Sequence, residues 1–171
     1  MKILNIHGYH GSTENSAYKA LKELGCEIIS PPMDYDGKRP GDIAGELKKL
    51  YDEYRPDVIV GTSLGGFFAS VLCAERSCKT ILVNPCLMPF LMFDFETRTL
   101  VGMFGGFSDI RTKNVSCIVG GNDEVLGDHK FTERLFGNER FRRIEGAGHS
   151  GATLPLKEYF AEVLDYYKGL K

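Results

Sequence analysis

Two hydrophobic patterns alternate along this chain from its first residues to its last. Short apolar runs bounded by glycine, proline or polar turns are typical of buried strands, and between them apolar residues recur at the spacing of one helix face. The first pattern predicts strands at about residues 2–6, 26–30, 57–60, 80–83, 116–120 and 140–144. The second predicts helices at about residues 14–24, 41–54, 65–76, 128–136 and 154–168.

This alternation predicts an α/β fold. Strands that alternate with helices form a mostly parallel sheet with helices on both faces, which gives a three-layer sandwich of about six strands here. A chain of 171 residues lies within the usual range for one domain. We therefore expect a single domain over residues 1–171, without internal repeats or low-complexity tracts.

The most informative motif joins the third strand pattern to the third helix pattern. Residues 58–66 read as an apolar strand, then Gly-x-Ser-x-Gly, then the start of a helix. That order is typical of a nucleophile elbow, in which a serine on a sharp, strained turn stands clear of the sheet. Ser63 is therefore the predicted nucleophile, and an inert turn serine is the alternative.

A serine nucleophile needs a base and an orienting acid. Asp123 follows the fifth strand pattern and His149 follows the sixth. Loops beyond the carboxyl ends of parallel strands converge on one crevice, so we predict Asp123 as the acid and His149 as the base. The alternatives are a plain turn residue for Asp123, with Glu124 or Asp128 as the acid, and a surface histidine for His149.

The loop after the first strand pattern, residues 7–12, is the expected partner of the elbow. An oxyanion hole uses the backbone N–H after the nucleophile and a second N–H from such a loop. We predict the amides of Leu64 and Tyr9, with His10 as the next choice for the second. His7 is expected to make structural hydrogen bonds and is given no catalytic role.

These motifs resemble those of the small YqiA-like esterases of the α/β-hydrolase superfamily, over nearly the whole chain. The resemblance implies an esterase that acts on acyl esters through Ser63, Asp123 and His149, with no cofactor and little or no cap domain. The segments that carry the resemblance are His7-Gly8-Tyr9, Gly61-Thr62-Ser63-Leu64-Gly65-Gly66, Val83-Asn84-Pro85, Asp123-Glu124-Val125-Leu126 and Gly148-His149.

Composition and charge exclude several classes of partner. With 43% hydrophobic residues, 26% charged residues and a formal net charge of −2, the chain gives no reason to expect nucleic acid or an anionic membrane as a partner. No apolar run is long enough to cross a bilayer and no signal peptide is visible, so a cytoplasmic location is expected. Arg140, Arg142 and Arg143 are expected on the solvated face of an edge strand.

Metals and nucleotide cofactors are not indicated. The five cysteines are an odd number without metal-ligand spacing, which suits reduced thiols, and none lies in a Gly-x-Cys-x-Gly motif. Asp34 and Asp36 read as a turn because the other ligands of a calcium loop are missing. His129, beside Asp128 near a helix start, is expected to be exposed.

The region from Pro85 to Asn114 is too long for an ordinary connection. It could line an acyl pocket or form a flap. Alternatively, it could be a helix and loop that packs in the core or forms a dimer contact, and this alternative includes a homodimer. The predicted substrate pocket comprises His10, Cys86, Met88 and Phe90. The phenylalanines and methionines that mark this region, within 86–107, are Phe90, Phe93, Phe95, Phe104, Phe107, Met88, Met92 and Met103.

Taken together, the sequence predicts a serine hydrolase that cleaves small acyl esters through an acyl-enzyme intermediate. A thioesterase or acyl transferase would use the same residues, and a peptidase is a weaker alternative. A binding protein without turnover is the alternative from a different class, because α/β-hydrolase scaffolds can bind without catalysis.

Overall fold

One parallel sheet organises the computed structural model, which describes residues 1–93 and 96–170. Within those residues it has six strands in the order β2-β1-β3-β4-β5-β6, and every neighbouring pair is parallel. The predicted fold class is therefore confirmed. The strands are β1 (Lys2–Ile6), β2 (Glu27–Ile29), β3 (Val58–Thr62), β4 (Thr80–Val83), β5 (Val115–Gly120) and β6 (Phe141–Ile144).

The helices begin and end where local chemistry favours it. The Asn15 side chain accepts a hydrogen bond from the Tyr18 N–H and caps α1, while Pro40 occupies the first turn of α2, where a missing N–H costs nothing. Arg55 ends α2 in the left-handed conformation. The helices are α1 (Ser16–Glu23), α2 (Pro40–Tyr54), α3 (Leu64–Arg76), α4 (Thr97–Gly105), α5 (Lys130–Phe136) and α6 (Leu156–Gly169).

Two hydrophobic clusters, one on each face of the sheet, make the three layers. In β3, Val58 and Val60 belong to the cluster beneath α1 and α6, whereas Ile59 belongs to the cluster beneath α2, α3 and α5. The alternation follows from the period of two along a strand. Strands buried on both faces read as continuous apolar runs, which is why the sequence predicted the central ones well.

Four described phenylalanines of the region after β4 contribute to the core. Phe107 is buried, and Phe90, Phe93 and Phe104 pack against the same cluster as α3. The helix-and-loop alternative therefore describes the observed structure, with α4 as the helix. Phe95 lies outside the described residues, as does Asp94.

Strand β6 is the edge strand that the sequence predicted, but Arg140, in the turn just before it, is not solvated. Arg140 is 4% exposed, and its guanidinium donates to the Ser116 hydroxyl at 3.1 Å and to the Lys113 carbonyl oxygen at 3.1 Å. Arg142 and Arg143 do reach solvent, where they pair with acidic residues of α6 and α5. The expectation was wrong for Arg140 because its side chain completes buried hydrogen bonds beneath α6.

The sheet order places a crevice at the ends of β1 and β3. From β1 the chain turns outward to β2, and from β3 it proceeds in the other direction through β4, β5 and β6. Such a reversal opens a crevice beyond the carboxyl ends of the strands. No helix among the described residues is long and apolar enough to cross a membrane.

Candidate active site

Ser63 lies at a sharp, strained turn between β3 and α3. Its backbone has φ of 51° and ψ of −121°, a conformation that a residue with a side chain rarely adopts. A side-chain carbon at Gly65 would lie 2.2 Å from the Ile6 carbonyl oxygen, so only glycine lets the start of α3 approach β1. These are the features of a nucleophile elbow.

Hydrogen bonds join Ser63 to His149 and His149 to Asp123. Ser63 Oγ lies 3.0 Å from His149 Nε2, and His149 Nδ1 lies 2.9 Å from Asp123 Oδ2. When Nδ1 carries the imidazole proton, it donates to the carboxylate and leaves Nε2 to accept the serine proton. The structure thus brings together the three side chains predicted from the ends of three strands.

The Asp123 carboxylate is buried but well supplied with donors. Its Oδ1 accepts the N–H groups of Val125 at 2.9 Å and Leu126 at 2.8 Å, and the side chain has no exposed surface. Burial alone raises the pKa of Asp123, but the hydrogen bonds from His149, Leu126, His129 and Val125 outweigh it, so the pKa is lowered. A carboxylate held in its charged form can orient and stabilise an imidazolium.

His129 is buried, contrary to the prediction that it is exposed. Its Nε2 lies 2.7 Å from Asp123 Oδ2, and its side chain is 2% exposed. The prediction failed because the residue precedes α5 in a left-handed conformation, with φ of 53°, and packs back onto the Asp123 turn. No local sequence signal marks that contact.

Two residues that were not predicted to position His149 hold the loop that carries it. The Asn84 side-chain amide donates to the carbonyl oxygens of Gly148 at 3.1 Å and His149 at 2.8 Å. Glu124 Oε2 accepts the His149 N–H at 2.9 Å. Asn84 stood out in sequence only as part of Val83-Asn84-Pro85, whereas Glu124 had been considered as a substitute acid.

The loop after β1 packs directly against Ser63. A side-chain carbon at Gly8 would lie 2.9 Å from Ser63 Cβ, so the loop carrying Tyr9 borders the elbow. His7 Nδ1 donates to the Gly8 carbonyl oxygen at 2.8 Å while His7 Nε2 accepts the Met33 N–H at 3.1 Å, which fits a structural role. Leu64 is the first residue of α3, where the N–H has no partner within the helix.

The residues of the predicted substrate pocket lie in different places. His10 lines a cavity of about 510 Å³ with Ser63 and His149. Cys86 and Met88 line a second cavity, of about 360 Å³, on the side of α5. Phe90 packs against Phe104, at 5.5 Å between ring centroids.

Neither a metal site nor a reactive thiol accompanies the elbow. Across residues 1–93 and 96–170, no group of three or more His, Cys, Asp or Glu side chains is arranged to hold a metal ion. Cys86 donates its N–H to the Ser63 carbonyl oxygen at 2.9 Å, but burial raises the pKa of its thiol to about 11. That thiol is protonated at neutral pH and is a poor nucleophile.

The sequence profile of the uncharacterised protein family UPF0227 matches residues 2–98. The chain belongs to this family. The resemblance to YqiA-like proteins predicted from the motifs is thereby confirmed. The part that matches UPF0227 contains the β1 loop, the Ser63 elbow and Asn84, whereas Asp123 and His149 lie beyond it.

Solved structures similar to this UPF0227 chain share its fold. Est1E from Butyrivibrio proteoclasticus has a TM-score of 0.70 and 18% identity, over 96% of this chain and 88% of that one. MGS-MChE2, an α/β-hydrolase enzyme from the metagenome of sediments from the lagoon of Mar Chica, Morocco, has a TM-score of 0.66 and 16% identity, over 98% and 90%. The esterase RhEst1 from Rhodococcus sp. ECU1013 has a TM-score of 0.61 and 14% identity, over 100% and 91%. The chain therefore has an α/β-hydrolase fold.

Proposed function

We propose that this protein is a serine hydrolase that cleaves small acyl esters. The observation that carries the proposal is the continuous path of hydrogen bonds from Ser63 through His149 to Asp123, at 3.0 Å and 2.9 Å. The strained backbone at Ser63 supports it, because that strain presents the hydroxyl at the crevice. The fold shared with RhEst1, which is described as an esterase, is consistent with this chemistry.

The reaction follows from this arrangement. His149 Nε2 takes the proton of Ser63 as Oγ attacks the ester carbonyl, and Asp123 stabilises the imidazolium that forms. The amides of Leu64 and Tyr9 are proposed to bind the oxyanion. The imidazolium returns its proton to the leaving alcohol, and water then hydrolyses the acyl-enzyme by the same steps.

The cavity beside Ser63 favours small substrates with polar groups. Besides Ser63 and His149, this cavity is lined largely by polar side chains, and no described residue of the Phe-rich region lines it. The open crevice gives direct access to the hydroxyl. The polar residues that contribute to the lining are His10, Ser12, Glu14, Asn15, Ser16, Lys19, Thr62 and Ser150.

Labelling with a fluorophosphonate probe tests the proposal. We expect the wild-type protein to be labelled, and Ser63→Ala and His149→Ala to lose labelling while circular dichroism shows an intact fold. Ser108→Ala is the matched control, because Ser108 is exposed on a turn after α4, outside the crevice. Absence of labelling in folded wild-type protein, or labelling that survives Ser63→Ala, would overturn the proposal.

Substrate profiling then separates the chemistries that this triad can perform. Rates of hydrolysis would be compared for short-chain esters and thioesters that carry the same acyl group. An added alcohol acceptor would detect acyl transfer. Esters are expected to give the higher kcat/KM. A strong preference for thioesters, or transfer to the alcohol in place of hydrolysis, would redirect the assignment while leaving Ser63 as the nucleophile.

A further inference from the structure

Asp123 Oδ2 accepts hydrogen bonds from two histidines. His149 Nδ1 lies 2.9 Å away and His129 Nε2 lies 2.7 Å away from this one oxygen atom. The other oxygen, Oδ1, is taken by the N–H groups of Val125 and Leu126. A Ser-His-Asp triad needs only one histidine, so the triad itself does not explain the contact between His129 and Asp123.

The surroundings of His129 favour a neutral imidazole. Burial lowers the pKa of His129 and outweighs the opposing effect of its hydrogen bond to Asp123, and the positive charge of Arg143 adds to the lowering. Since a carboxylate cannot donate, the proton of the neutral ring lies on Nε2 and is donated to Oδ2. The groups that act on the titration of His129 are Asp123, Arg143 and His149.

The backbone fixes His129 firmly. Its φ of 53° is uncommon for a residue other than glycine, although histidine adopts it more often than most, and its carbonyl oxygen accepts the Glu133 N–H at 2.9 Å, within the first turn of α5. Such a conformation persists when the surrounding contacts require it. The imidazole is therefore anchored at a helix start and does not depend on a mobile loop.

We propose that His129 is a positioning residue for the triad, which holds the Asp123 carboxylate in the orientation that aims Oδ2 at His149 Nδ1. This inference rests on the proposed hydrolase function. Without the His129 donor, the carboxylate keeps its two backbone bonds at Oδ1 but loses the contact that restrains Oδ2. The negative charge of Oδ2, no longer shared with His129, would also interact more strongly with the His149 imidazolium and stabilise it.

The pH dependence of ester hydrolysis distinguishes positioning from a merely structural role. In His129→Phe, which keeps a ring but removes the donor, we expect kcat/KM to fall about tenfold, the scale of one hydrogen bond to a charged group. The acid limb of the kcat/KM profile should move to higher pH, because the stronger interaction with Oδ2 keeps the imidazolium of His149 protonated to higher pH. In His129→Gln, whose amide N–H can replace Nε2–H, the profile should return toward the wild type. Arg134→Ala, an exposed change on α5, should leave rate and profile unchanged.

The outcomes separate this inference from the proposed function. A wild-type protein without Ser63-dependent hydrolysis overturns both. Normal hydrolysis together with an unchanged rate and pH profile in His129→Phe overturns the positioning role alone. A loss of equal size at every pH, without rescue by glutamine, also overturns it and leaves packing as the role of His129. If His129→Phe does not fold, the same comparison is made between His129→Gln and His129→Asn. The shorter asparagine side chain cannot reach Oδ2.

Discussion

The Asn84 side-chain amide donates to the carbonyl oxygen of His149 across 2.8 Å, and so fastens the loop of the proposed base to the end of β4. The same side chain accepts the Gly120 N–H at 2.7 Å through Oδ1. Asn84 is fully buried and has φ of 41°, a conformation that asparagine tolerates better than most residues. One side chain therefore aligns the ends of β4 and β5 and the loop after β6.

Replacing Asn84 should affect stability and activity together. Asn84→Ala loses its bonds to Gly120, Gly148 and His149, so we expect the free energy of unfolding to fall by about 2–3 kcal/mol. The kcat/KM for an ester should fall as well, because the His149 loop is no longer held. Urea unfolding and ester hydrolysis measure the two effects. Asn114→Ala removes a donation to the Ser77 carbonyl oxygen far along the sheet and should change stability by about 1 kcal/mol, with the rate unaffected. An equal effect of the two variants would contradict this account.

Carboxyl-to-amide changes identify the triad acid. Asp123→Asn should lower kcat by about 10³ to 10⁴-fold, the scale of losing the acid of a Ser-His-Asp triad, because asparagine cannot fix the required tautomer. Glu124→Gln keeps an oxygen for the His149 N–H and should cost little. Asp128→Asn, which alters an exposed pair with Lys130, should leave hydrolysis unchanged. Steady-state kinetics measure these effects. A large loss of kcat in Glu124→Gln with little loss in Asp123→Asn would assign the role of the acid to Glu124.

The stability contributed by the Asp123 carboxylate should depend on pH in acid. Because the folded-state pKa lies below that of the unfolded chain, about 3.9, this contribution is fully present well above pH 4 and is lost as the pH falls through the folded-state pKa. Wild-type stability should therefore decline more steeply below about pH 4 than that of Asp123→Asn. Urea unfolding at a series of pH values between 6 and 3 gives both slopes. Parallel slopes would show that the carboxylate titrates alike in the folded and unfolded chains.

Two glycine substitutions test the geometry of the elbow. Gly65→Ala places a carbon 2.2 Å from the Ile6 carbonyl oxygen, so it should destabilise the fold by at least about 2 kcal/mol. Gly45→Ala, within α2, meets no atom within 4 Å and should stabilise the fold by about 0.5–1 kcal/mol. Thermal and urea unfolding compare the pair. A neutral Gly65→Ala would mean that α3 approaches β1 less closely than described here.

Local patterns predicted the sheet and the Ser63 elbow because both depend on residues close together in the chain. Buried strands give continuous apolar runs, and the elbow gives a motif flanked by a strand and a helix. The meeting of Asp123 and His149 with Ser63 could be predicted because strand ends converge in a parallel sheet. Helix α4 was only one of two alternatives, since Gly102 and Gly105 weaken its pattern.

What sequence could not predict depends on distant contacts. His129 is buried because the Asp123 turn folds over it, and Asn84 acts through loops that follow β5 and β6. The residues of the predicted substrate pocket do not line one cavity, for the same reason. Cys86 and His10 follow different strands, and only the three-dimensional arrangement shows that they line separate cavities.

Strand β6 pairs with β5 alone in the sheet formed by the described residues, and none of its residues is fully buried, whereas β3 is buried along almost its whole length. Edge strands open locally at a lower free-energy cost than central ones, which native-state hydrogen exchange detects as faster exchange of their amides. The loop of His149 follows this edge, while Ser63 follows the interior of the sheet. Denaturant or heat should therefore detach His149 from Ser63 by a local opening of β6, and the proposed hydrolysis should stop at urea concentrations at which most of the molecule is still folded.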